Sequence, residues 1–541
     1  MRHNLEIPQG KRSKKYRFLE ILPGAISYGA IILLFILSLI NPVLGAIYLF
    51  TLISATLVKA VGVAYRTVQG YNVIQRAMKV DWRHRMEDLE NPHDAYERLH
   101  DEDSKSYHFD EHIENLKFMT AMGKEYPDPR KIHHVVIMTA YDEGIDVLEP
   151  SVEAVKNSTF PSDRIIFALA YEERGGEAME QTAKELYRRH KDDFKKFLLV
   201  KHPANLSGEV IGKGPNLTYA GNYVANYIHS HHMSAENIIV TSLDSDNRMA
   251  PKYLDSVAYE FITHPNRQRL SYQPVSLFMN NIWDAPAPTR VIAVSNSFFN
   301  VISTMRPHVL RNFASHSQPL QALEAMGFWS KRTIVEDGHQ YWRSLFFFHG
   351  DYFVLPIRIP IYQDAVLDES FWKTVKAQFI QVRRWYYGAS DVAYVGNQLF
   401  AQRDKRVIPF KQLFPKFLRL LDGHVTLAIM APIITFGGWV PMIMNLSSHD
   451  MVVYNLPNIV SVVETIASIG LLVTVLVSLR MLPKRPAKYR KGKSIFMIIQ
   501  WILMPITSVL YQSIAAFYAQ TRLMLGLYME KFDVTKKVIK K

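Results

Sequence analysis

Cysteine is absent from the 541 residues of this chain. Its absence excludes a disulfide framework, a zinc site with cysteine ligands and a catalytic thiol nucleophile. The sequence also lacks zinc-finger spacing and the aromatic signature of RNA-binding modules. The formal net charge is +13, and the positive charge clusters beside long apolar segments. This pattern fits an anionic membrane surface better than a nucleic-acid groove. We therefore expect a lipid bilayer, and no nucleic acid, as a partner.

Two apolar runs near the N-terminus predict a transmembrane hairpin. Ile21 to Ile40 is almost entirely apolar, Asn41-Pro42 interrupts the run, and Val43 to Ala64 continues with Lys59 as its single charge. Each run matches the roughly 20 apolar residues that a span needs. A cleaved signal peptide is less consistent with the sequence, because a second apolar run follows at once and no small-residue cleavage site is evident.

Three further apolar stretches lie near the C-terminus, at Val425–Asn445, Ile459–Leu479 and Ile495–Leu527. The last stretch is too long for one ordinary span and carries Pro505 in its middle. We therefore predict that it forms a tight helical hairpin. The chain would then cross the membrane six times.

The basic residues predict the orientation of these spans, because cytoplasmic segments carry an excess of Lys and Arg. Loop 480–493 and both chain ends are basic, whereas loop Leu446–Pro457 has neither Lys nor Arg. The basic residues are Arg2, Lys11, Arg12, Lys14, Lys15, Arg17, Arg480, Lys484, Arg485, Lys488, Arg490, Lys491, Lys493, Lys531, Lys536, Lys537, Lys540 and Lys541. We therefore expect a multi-pass protein of the cell membrane whose termini, loop 480–493 and polar middle are cytoplasmic.

Two segments near the C-terminal spans mix basic and apolar residues. Phe410–Leu421 alternates bulky apolar residues with Lys and Arg, which predicts an interfacial helix lying on the bilayer. The alternative is an ordinary surface helix of the soluble domain. The tail Lys531–Lys537 is interpreted as a basic, solvated end.

Between the membrane segments the pattern changes to buried strands that alternate with helices. Apolar runs at 133–139, 164–170, 196–200 and 237–243 predict four strands. The stretches near 146–157, 176–193 and 215–230 between them predict helices. This alternation indicates a parallel sheet that is covered on both faces.

Polar residues follow each predicted strand, and ligands of such sheets bind beyond the carboxyl ends of the strands. The residues are Tyr141, Asp142 and Glu143, then Glu172 and Glu173, then His202, and then Asp244 and Asp246. The D-x-D pair supplies hard oxygen ligands, which Mg²⁺ and Mn²⁺ prefer alongside substrate phosphates. A turn or a helix cap is the alternative interpretation of the same pair.

Three motifs further along the chain suggest groups for chemistry. Glycines surround Lys213 ahead of a predicted helix, which suits an anionic ligand, although a flexible loop with a solvated lysine explains them equally well. Asp337, after Glu336, is a candidate general base, and the alternative is a helix cap.

Gln381, Arg384 and Trp385 fall at helical spacing, so they share one face. Arginine suits a pyrophosphate and tryptophan a sugar ring, but an interfacial Arg/Trp pair is common beside membranes.

Taken in order, these motifs resemble those of membrane-embedded family-2 glycosyltransferases, the group of the cellulose, chitin and hyaluronan synthases. The series Tyr141-Asp142-Glu143, Asp244-Ser245-Asp246, Glu336-Asp337 and Gln381 with Arg384-Trp385 is similar to the family's Y-N-E, D-x-D, T/E-E-D and Q-x-x-R-W series. The resemblance implies a cytoplasmic α/β GT-A domain, Rossmann-like and nucleotide-sugar-binding, with an α-helical multi-pass membrane domain. It divides the chain into a basic tail (1–20), a transmembrane hairpin (21–65), a helical linker (66–130), the GT-A domain (131–400), an interfacial helix (401–423), C-terminal transmembrane helices (424–528) and a basic tail (529–541).

The resemblance also implies a role for each matching residue. The donor is expected to be a UDP-sugar, with Asp246 and Asp244 holding Mg²⁺ or Mn²⁺ on its diphosphate. Asp337 would be the general base. The remaining donor-binding residues would be Tyr141, Glu143, Lys213, Gln381 and Arg384, with Glu172 or Glu173 beside the uracil. Trp385 and Glu336 would bind the acceptor, a glycan or a lipid.

The sequence departs from the family pattern near the acceptor motifs. Gly338 follows Asp337 where the family usually has another acidic residue, and Asn312–Gln318 replaces the usual F-x-G-T and R-R stretch. Two functions are therefore open: processive polysaccharide synthesis with export through the protein's own helices, or transfer of a single sugar to a lipid or short glycan. A catalytically silent membrane scaffold or transporter is the remote alternative.

Overall fold

A computed structural model describes residues 5–445 and 451–534 of the chain. Several residues that carry the orientation prediction lie outside these ranges, namely Arg2, residues 446–450 of the loop without Lys or Arg, Lys536, Lys537, Lys540 and Lys541. The N-terminal part consists of helices: α1 (Lys14–Ile40), α2 (Pro42–Lys79), α3 (Trp82–Asp88), α4 (Pro92–Leu99) and α5 (Phe109–Met122). Because α2 is continuous to Lys79, the predicted domain boundary at residue 65 falls inside a helix.

The four predicted strands and the helices between them are present, with ends within one to three residues of the predictions. They are β1 (His133–Ala140), α6 (Ile145–Lys156), β2 (Ile165–Glu172), α7 (Gly176–His190), β3 (Lys196–His202), α8 (Lys213–Ser230) and β4 (Ile238–Asp244). The second half of the domain follows as β5 (Arg248–Met249), α9 (Tyr253–Thr263), β6 (Leu270–Phe278), α10 (Ala287–Thr304), β7 (His316–Pro319), α11 (Leu320–Met326), α12 (Glu336–Phe347), β8 (Phe353–Gln363), α13 (Phe371–Tyr386) and α14 (Ser390–Leu399).

The sheet has eight strands in the order β3-β2-β1-β4-β7-β6-β8-β5. Strands β1 to β4 are parallel, as predicted. The sheet as a whole is mixed, because β7 runs antiparallel to β4 and β6. The sequence of β7, His-Ser-Gln-Pro, has no apolar run that would predict a strand. The Ser317 hydroxyl in β7 bonds to the Thr241 hydroxyl (2.7 Å) and to the Tyr253 hydroxyl (2.9 Å).

Helices cover both faces of this sheet, which explains why the central strands β1, β2 and β4 are mainly apolar. Successive side chains of a strand point to opposite faces. Accordingly, Val135 and Ile137 of β1 pack with Val224 of α8, while Val136 and Met138 pack with Val257 of α9. All of these side chains are buried. The expected α/β GT-A domain is therefore confirmed, and its parallel strands end at one common edge.

Apolar helices follow the α/β domain: α15 (Phe410–Phe436), α16 (Trp439–Met444), α17 (Met451–Met481), α18 (Gly492–Ile499), α19 (Met504–Thr507) and α20 (Ile514–Leu525). By length and composition, three helical segments among the described residues could cross a membrane: Lys14–Ile40, Phe410–Phe436 and Gly492–Leu525. Shorter apolar stretches occupy Pro42–Ala55 and Leu472–Met481. The predicted interfacial segment Phe410–Leu421 is the first part of α15, so the boundary at residue 423 also falls inside a helix.

The predicted hairpin at Ile495–Leu527 is wrong. Helical backbone continues without a reversing turn from α18 to α20 through a 3₁₀ segment (Gln500–Leu503), α19 and a π-helical segment (Ser508–Ser513). Pro505 lies at the second residue of α19, directly after the 3₁₀ segment. The proline that favoured a hairpin in the sequence thus marks a change of helix geometry.

Both ends of this Gly492–Leu525 segment contact the α/β domain. Trp283 Nε1 donates a hydrogen bond to the Pro483 carbonyl (3.0 Å) in the loop that leads to the segment. Arg290 Nε donates to Gln500 Oε1 (2.6 Å). Near the other end, Ala519 and Leu523 pack with Ile334 and Tyr387. The opposite face is apolar and exposed at Ile495, Phe496, Ile498, Ile499, Ile502, Ile506, Leu510 and Ile514.

We predict that Gly214→Ala destabilises the fold, because the close packing of α8 against the segment before α12 leaves no room for a methyl group. A Cβ atom at Gly214 would lie 2.3 Å from the Ser330 carbonyl oxygen, and overpacking of this kind costs about 1–3 kcal/mol. Gly338→Ala is the matched control, since Gly338 also lies in a first helical turn but has open space around it. Thermal unfolding of the purified variants measures the difference. Equal midpoints for the two variants would contradict the prediction.

Candidate active site

A cavity of about 460 Å³ lies at the carboxyl edge of the parallel strands. The sequence-predicted residues that line it are Tyr141, Glu143, Glu172, Lys213, Asp244, Asp246, Glu336, Asp337, Gln381, Arg384 and Trp385. The fold therefore brings together residues that are up to 244 positions apart in the sequence. The residues that follow β1, β2 and β4 converge because the carboxyl ends of parallel strands meet at one edge. The others come from helices α8, α12 and α13, which border the same edge.

Glu173 is the one predicted site residue that does not line the cavity. Its carboxylate accepts a hydrogen bond from the Ala204 N–H (2.9 Å) and lies 3.6 Å from Lys201 Nζ on the outer surface. Glu172 is buried, lines the cavity and forms an ion pair with Arg174. Of the two residues that the sequence left open, Glu172 is thus the one that lines the cavity.

The D-x-D turn is held by residues from several elements. Asp244 is paired with Lys213, at 2.5 Å between Oδ1 and Nζ. Asp246 is 6% exposed, and its Oδ2 accepts a hydrogen bond from the Asp364 N–H (3.1 Å). The Ser315 hydroxyl, on the loop before β7, accepts hydrogen bonds from the Asp244 N–H (3.2 Å) and from Asn247 Nδ2 (2.6 Å). The two aspartates are therefore fixed in place at the end of β4.

Glu143 ties this turn to the end of β1. One of its carboxylate oxygens accepts the Tyr141 N–H (2.7 Å), and the other accepts the Ser245 hydroxyl (2.8 Å). The side chain thus bridges two neighbouring strand ends and lines the cavity at the same time. Glu143 thus shapes this edge of the cavity through its bonds to Tyr141 and Ser245.

The carboxylates fit a divalent cation that is shared with a phosphate ligand. Among residues 5–445 and 451–534, no group of three or more His, Asp or Glu side chains is arranged to hold a metal ion alone. Two carboxylates are nevertheless sufficient for Mg²⁺, which commonly binds through one or two carboxylates plus substrate phosphates. Asp244 and Asp246 are such a pair, at a cavity edge with room for a ligand.

Lys213 places a positive charge between Asp244 of the D-x-D turn and Glu336. Burial alone would lower the pKa of Lys213, but the negative charges of Asp244 and Glu336 outweigh it, so the pKa is raised. The ammonium therefore stays positive. Burial raises the pKa of Glu336 to about 7, against the opposing charge of Lys213, whose Nζ lies 3.8 Å from its Oε1.

Asp337 is oriented by two backbone groups. Its Oδ2 accepts a hydrogen bond from the Ala314 N–H (2.7 Å), and its Oδ1 accepts one from the Gly338 N–H (2.7 Å). Ala314 has a φ of +46°, a value that a non-glycine residue adopts at some energetic cost. This strained loop keeps the amide directed at the carboxylate. Asp337 thus lines the cavity in a fixed orientation, as a general base requires.

The Q-x-x-R-W residues share one face of α13, as their spacing predicts. Gln381 is 8% exposed and its Oε1 accepts a hydrogen bond from Gln378 Nε2 (3.2 Å). Trp385 contacts Phe278, with ring centroids 6.0 Å apart. Arg384 Nη1 is buried and has no hydrogen-bond partner among the described residues. A buried guanidinium N–H without a partner beside a cavity is suited to an oxyanion ligand.

The C-terminal tail enters this cavity, which the sequence interpretation missed. Ile211 and Lys531 form a β-bridge, with hydrogen bonds from the Ile211 N–H to the Glu530 carbonyl (3.0 Å) and from the Phe532 N–H to the Ile211 carbonyl (2.7 Å). The bridge places the Phe532 ring 3.5 Å from the guanidinium carbon of Arg384. Phe532 and Val534 both line the cavity. The described part of the tail is therefore packed into the site and is not a solvated end.

Other polar groups on the cavity wall were also missed, among them Arg311, Asp364, Asp391 and His424. Asp364 follows β8, which was not among the strands predicted from the sequence. Asp391 lies in the first turn of α14 and follows no strand. No local pattern distinguishes these residues from surface charges. Their place depends on how the second half of the sheet folds back against β4.

Individual known proteins are only distantly similar to this chain. None of the curated proteins is significantly similar to this chain in sequence. A solved mannosyltransferase from Pyrobaculum calidifontis, in complex with GDP-Man and Mn²⁺, is 14% identical, with a TM-score of 0.38 and coverage of 76% of this chain and 94% of its own. A TarS structure from S. aureus in complex with UDP is 10% identical, with a TM-score of 0.34 and coverage of 67% and 95%.

The family assignment rests on the sequence itself. The model of the Glycosyl transferase family group 2 matches residues 239–519, which is more than half of the 541 residues. The match begins in β4 and includes Asp244, Asp246, Asp337 and Arg384 of the cavity wall. This chain belongs to the Glycosyl transferase family group 2.

Proposed function

We propose that the protein is an inverting glycosyltransferase that uses a divalent metal ion and transfers a sugar from a UDP-sugar to an acceptor hydroxyl. The observation that carries this proposal is the convergence of three kinds of group in one cavity. These are the carboxylate pair Asp244 and Asp246, the oriented carboxylate of Asp337 and the cation Arg384. Glu172 lines the same cavity and is the proposed contact to the base of the nucleotide.

The proposed reaction is a single in-line displacement at the anomeric carbon. Asp337 accepts the proton of the acceptor hydroxyl as the hydroxyl oxygen forms its bond to that carbon. The bond from the carbon to the diphosphate oxygen breaks on the opposite face, and its electron pair leaves with the nucleoside diphosphate. The configuration at the anomeric carbon is therefore inverted. Gln381 and Arg384 bind the departing diphosphate and stabilise its growing charge.

A divalent metal ion held by Asp244 and Asp246 would neutralise further charge on the diphosphate. Lys213 contributes a permanent positive charge on the same side, since its ammonium lies beside Asp244. Trp385 offers a flat apolar face to the acceptor sugar. The scaffold alternative is disfavoured, because a chain that only bound ligands would have no use for an oriented base beside an anion clamp.

We further propose processive synthesis, in which the product grows into the membrane part of the protein. The wall of the cavity includes His424 and Leu427 of α15, a helix long and apolar enough to cross a membrane. The cavity is thus continuous between the donor side and a candidate span. Single transfer to a lipid or short glycan is the alternative, and it is favoured by the altered stretch Asn312–Gln318. Product size separates the two, because only processive synthesis yields a high-mass polymer.

For the membrane arrangement, we propose four spans and a cytoplasmic GT-A domain. The spans are α1, α2, α15 continued by α16, and α17. The segment Gly492–Leu525 lies in the plane of the cytoplasmic interface, because both of its ends contact the α/β domain and its outer face is apolar. An even number of spans keeps both chain ends on the side of the basic loop 480–493, in agreement with the positive-inside rule.

Asp337→Asn and Asp246→Asn are expected to abolish most sugar transfer. Loss of a general base reduces rates by about 10²- to 10⁴-fold, and loss of a metal ligand removes the metal dependence. The assay is nucleoside diphosphate release by the purified protein with Mg²⁺ or Mn²⁺ and a panel of UDP-sugars. Asp142→Asn is the matched control, since Asp142 is exposed and does not line the cavity. Unchanged turnover in Asp337→Asn would show that another group is the base.

Phe532→Ala is expected to raise the KM for the donor about tenfold, because the ring holds the Arg384 guanidinium flat against the cavity wall. A cation–π contact contributes about 0.5–2 kcal/mol, a range that includes the roughly 1.4 kcal/mol of a tenfold change. Phe532→Tyr retains the aromatic face and should restore the KM. Lys531→Ala is the control, because Lys531 is exposed and joins the bridge through its backbone alone. A normal KM in Phe532→Ala would mean that Arg384 is positioned without the tail.

Single cysteines in this cysteine-free chain test the membrane arrangement directly. In intact cells, a membrane-impermeant maleimide should label Asn41→Cys, which lies between α1 and α2. It should label Lys484→Cys and Leu527→Cys only after permeabilisation, because these two positions flank the Gly492–Leu525 segment. If one of the two flanking positions were labelled in intact cells, the segment would cross the membrane and the in-plane arrangement would be wrong.

A further inference from the structure

Two charged residues on the cavity wall, the half-buried Arg311 and the buried Asp391, have no role in the proposed chemistry. Arg311 lies on the loop before β7, and Asp391 lies in the first turn of α14. Both line the cavity that holds Asp337. Neither belongs to a motif of the family series found in the sequence. Their placement beside the candidate base nevertheless puts them where an acceptor must sit.

The charge environment separates these residues from the donor side of the cavity. The acidic residues near Lys213 and Arg384 include Asp244 and Glu336. The groups near Arg311 are instead Asp391, Tyr341 and Asp337. Asp337 is common to both sets. Arg311 thus interacts with Asp391 and with the candidate base, whereas Lys213 and Arg384 interact with the D-x-D carboxylate Asp244 as well.

Asp391 is positioned by a buried histidine. His339 Nδ1 bonds to Asp391 Oδ1 at 2.6 Å, and the His339 ring packs edge-on against Tyr394 at 4.5 Å between centroids. His339 is fully buried and lies two residues after Asp337 on α12. Asp391 Oδ2 receives no hydrogen bond from the described residues. The carboxylate is thus fixed in orientation and keeps one oxygen available to a ligand.

Arg311 is supported by an aromatic ring and not by an acid. Its guanidinium carbon lies 5.8 Å from the centroid of Trp342. Within residues 5–445 and 451–534 it forms neither an ion pair nor a hydrogen bond, although desolvation lowers its pKa and Asp391 opposes that effect. A guanidinium has five N–H donors, and in this place they can be satisfied only by a ligand or by water.

Arg311 can only donate hydrogen bonds and the Asp391 carboxylate can only accept them. Such a pair beside one cavity matches the hydroxyls of a sugar. A hydroxyl both donates and accepts, so neighbouring hydroxyls of a pyranose can accept from Arg311 and donate to Asp391. A phosphate or carboxylate ligand would satisfy Arg311 but would be repelled by Asp391. The aromatic residues Phe313, Trp385 and Tyr386 on the same wall supply the flat apolar faces that sugar rings pack against.

Because Arg311 and Asp391 line one cavity with the candidate base, we propose that they form an acceptor subsite for an uncharged pyranose. The two side chains would hydrogen-bond to its free hydroxyls. The proposal rests on the glycosyltransferase function proposed above and names the chemical class of its acceptor. His339 is a positioning residue, because it acts on the acceptor only through Asp391.

The test measures KM for donor and acceptor separately with the full-length protein. Cellobiose and N,N′-diacetylchitobiose are the neutral probes, and polyprenyl phosphate and a disaccharide ending in glucuronic acid are the anionic ones. Arg311→Gln and Asp391→Asn should each raise the KM of the neutral acceptor at least tenfold, since a hydrogen bond to a charged group is lost, while the donor KM changes less than twofold. Arg311→Lys should lie between wild type and Arg311→Gln. Arg269→Gln, at a surface ion pair with Asp351, is the matched control and should behave as wild type.

Three outcomes would overturn the proposal. A raised donor KM in Arg311→Gln would assign the residue to the diphosphate. A preference for the anionic probes that Arg311→Gln abolishes would assign it to a charged acceptor. Unchanged acceptor KM values in both variants, with unchanged thermal midpoints, would remove the subsite altogether.

Failure of the proposed function is detected separately. If the wild-type protein releases no nucleoside diphosphate from any donor, the glycosyltransferase proposal fails, and the subsite is then tested by calorimetric titration of the neutral disaccharides. Binding to the wild type that is lost in Arg311→Gln would support the subsite even in that case. Equal or absent binding in the two proteins would contradict it.

Discussion

The buried ammonium of Lys213 is the contact on which the site depends, because it joins the two halves of the catalytic domain. It pairs with Asp244 at the end of β4 and lies 3.8 Å from Glu336 at the start of α12. Asp337 follows Glu336 directly. A lysine inside a protein is costly unless it is paired, and here the paired carboxylates keep it charged. The D-x-D turn and the candidate base are thus held together by one cation.

Much of the first half of the fold was predictable, since β1 to β4 are apolar and each is followed by polar residues at the common edge. The second half was less so. Strand β7 is four residues of polar sequence that pair with β4, and its Ser317 hydroxyl bonds to those of Thr241 and Tyr253. Those partners are 76 and 64 residues away along the chain, so no local pattern encodes them.

The candidate site divides in the same way. Residues at strand ends or at helical spacing, such as Asp246 and Arg384, were predicted from the sequence and line the cavity. The choice between Glu172 and Glu173 needed the direction of each side chain at the end of β2. Phe532 needed the β-bridge to Ile211, which joins segments 320 residues apart, and composition alone made the tail look solvated. The hairpin prediction for the Gly492–Leu525 segment was wrong because it rested on length and on a proline. The segment is continuously helical and packs on the α/β domain, through contacts that are distant in sequence.

The central claim is that Asp244 and Asp246 hold the diphosphate of a nucleotide through a divalent cation. Calorimetric titration of UDP into the purified protein tests this claim most directly, in the presence of Mn²⁺ and again after its removal with EDTA. The account predicts that UDP binds in Mn²⁺, and that its affinity falls at least tenfold in EDTA and equally in Asp246→Asn. UDP affinity that is the same with and without the metal ion would contradict it.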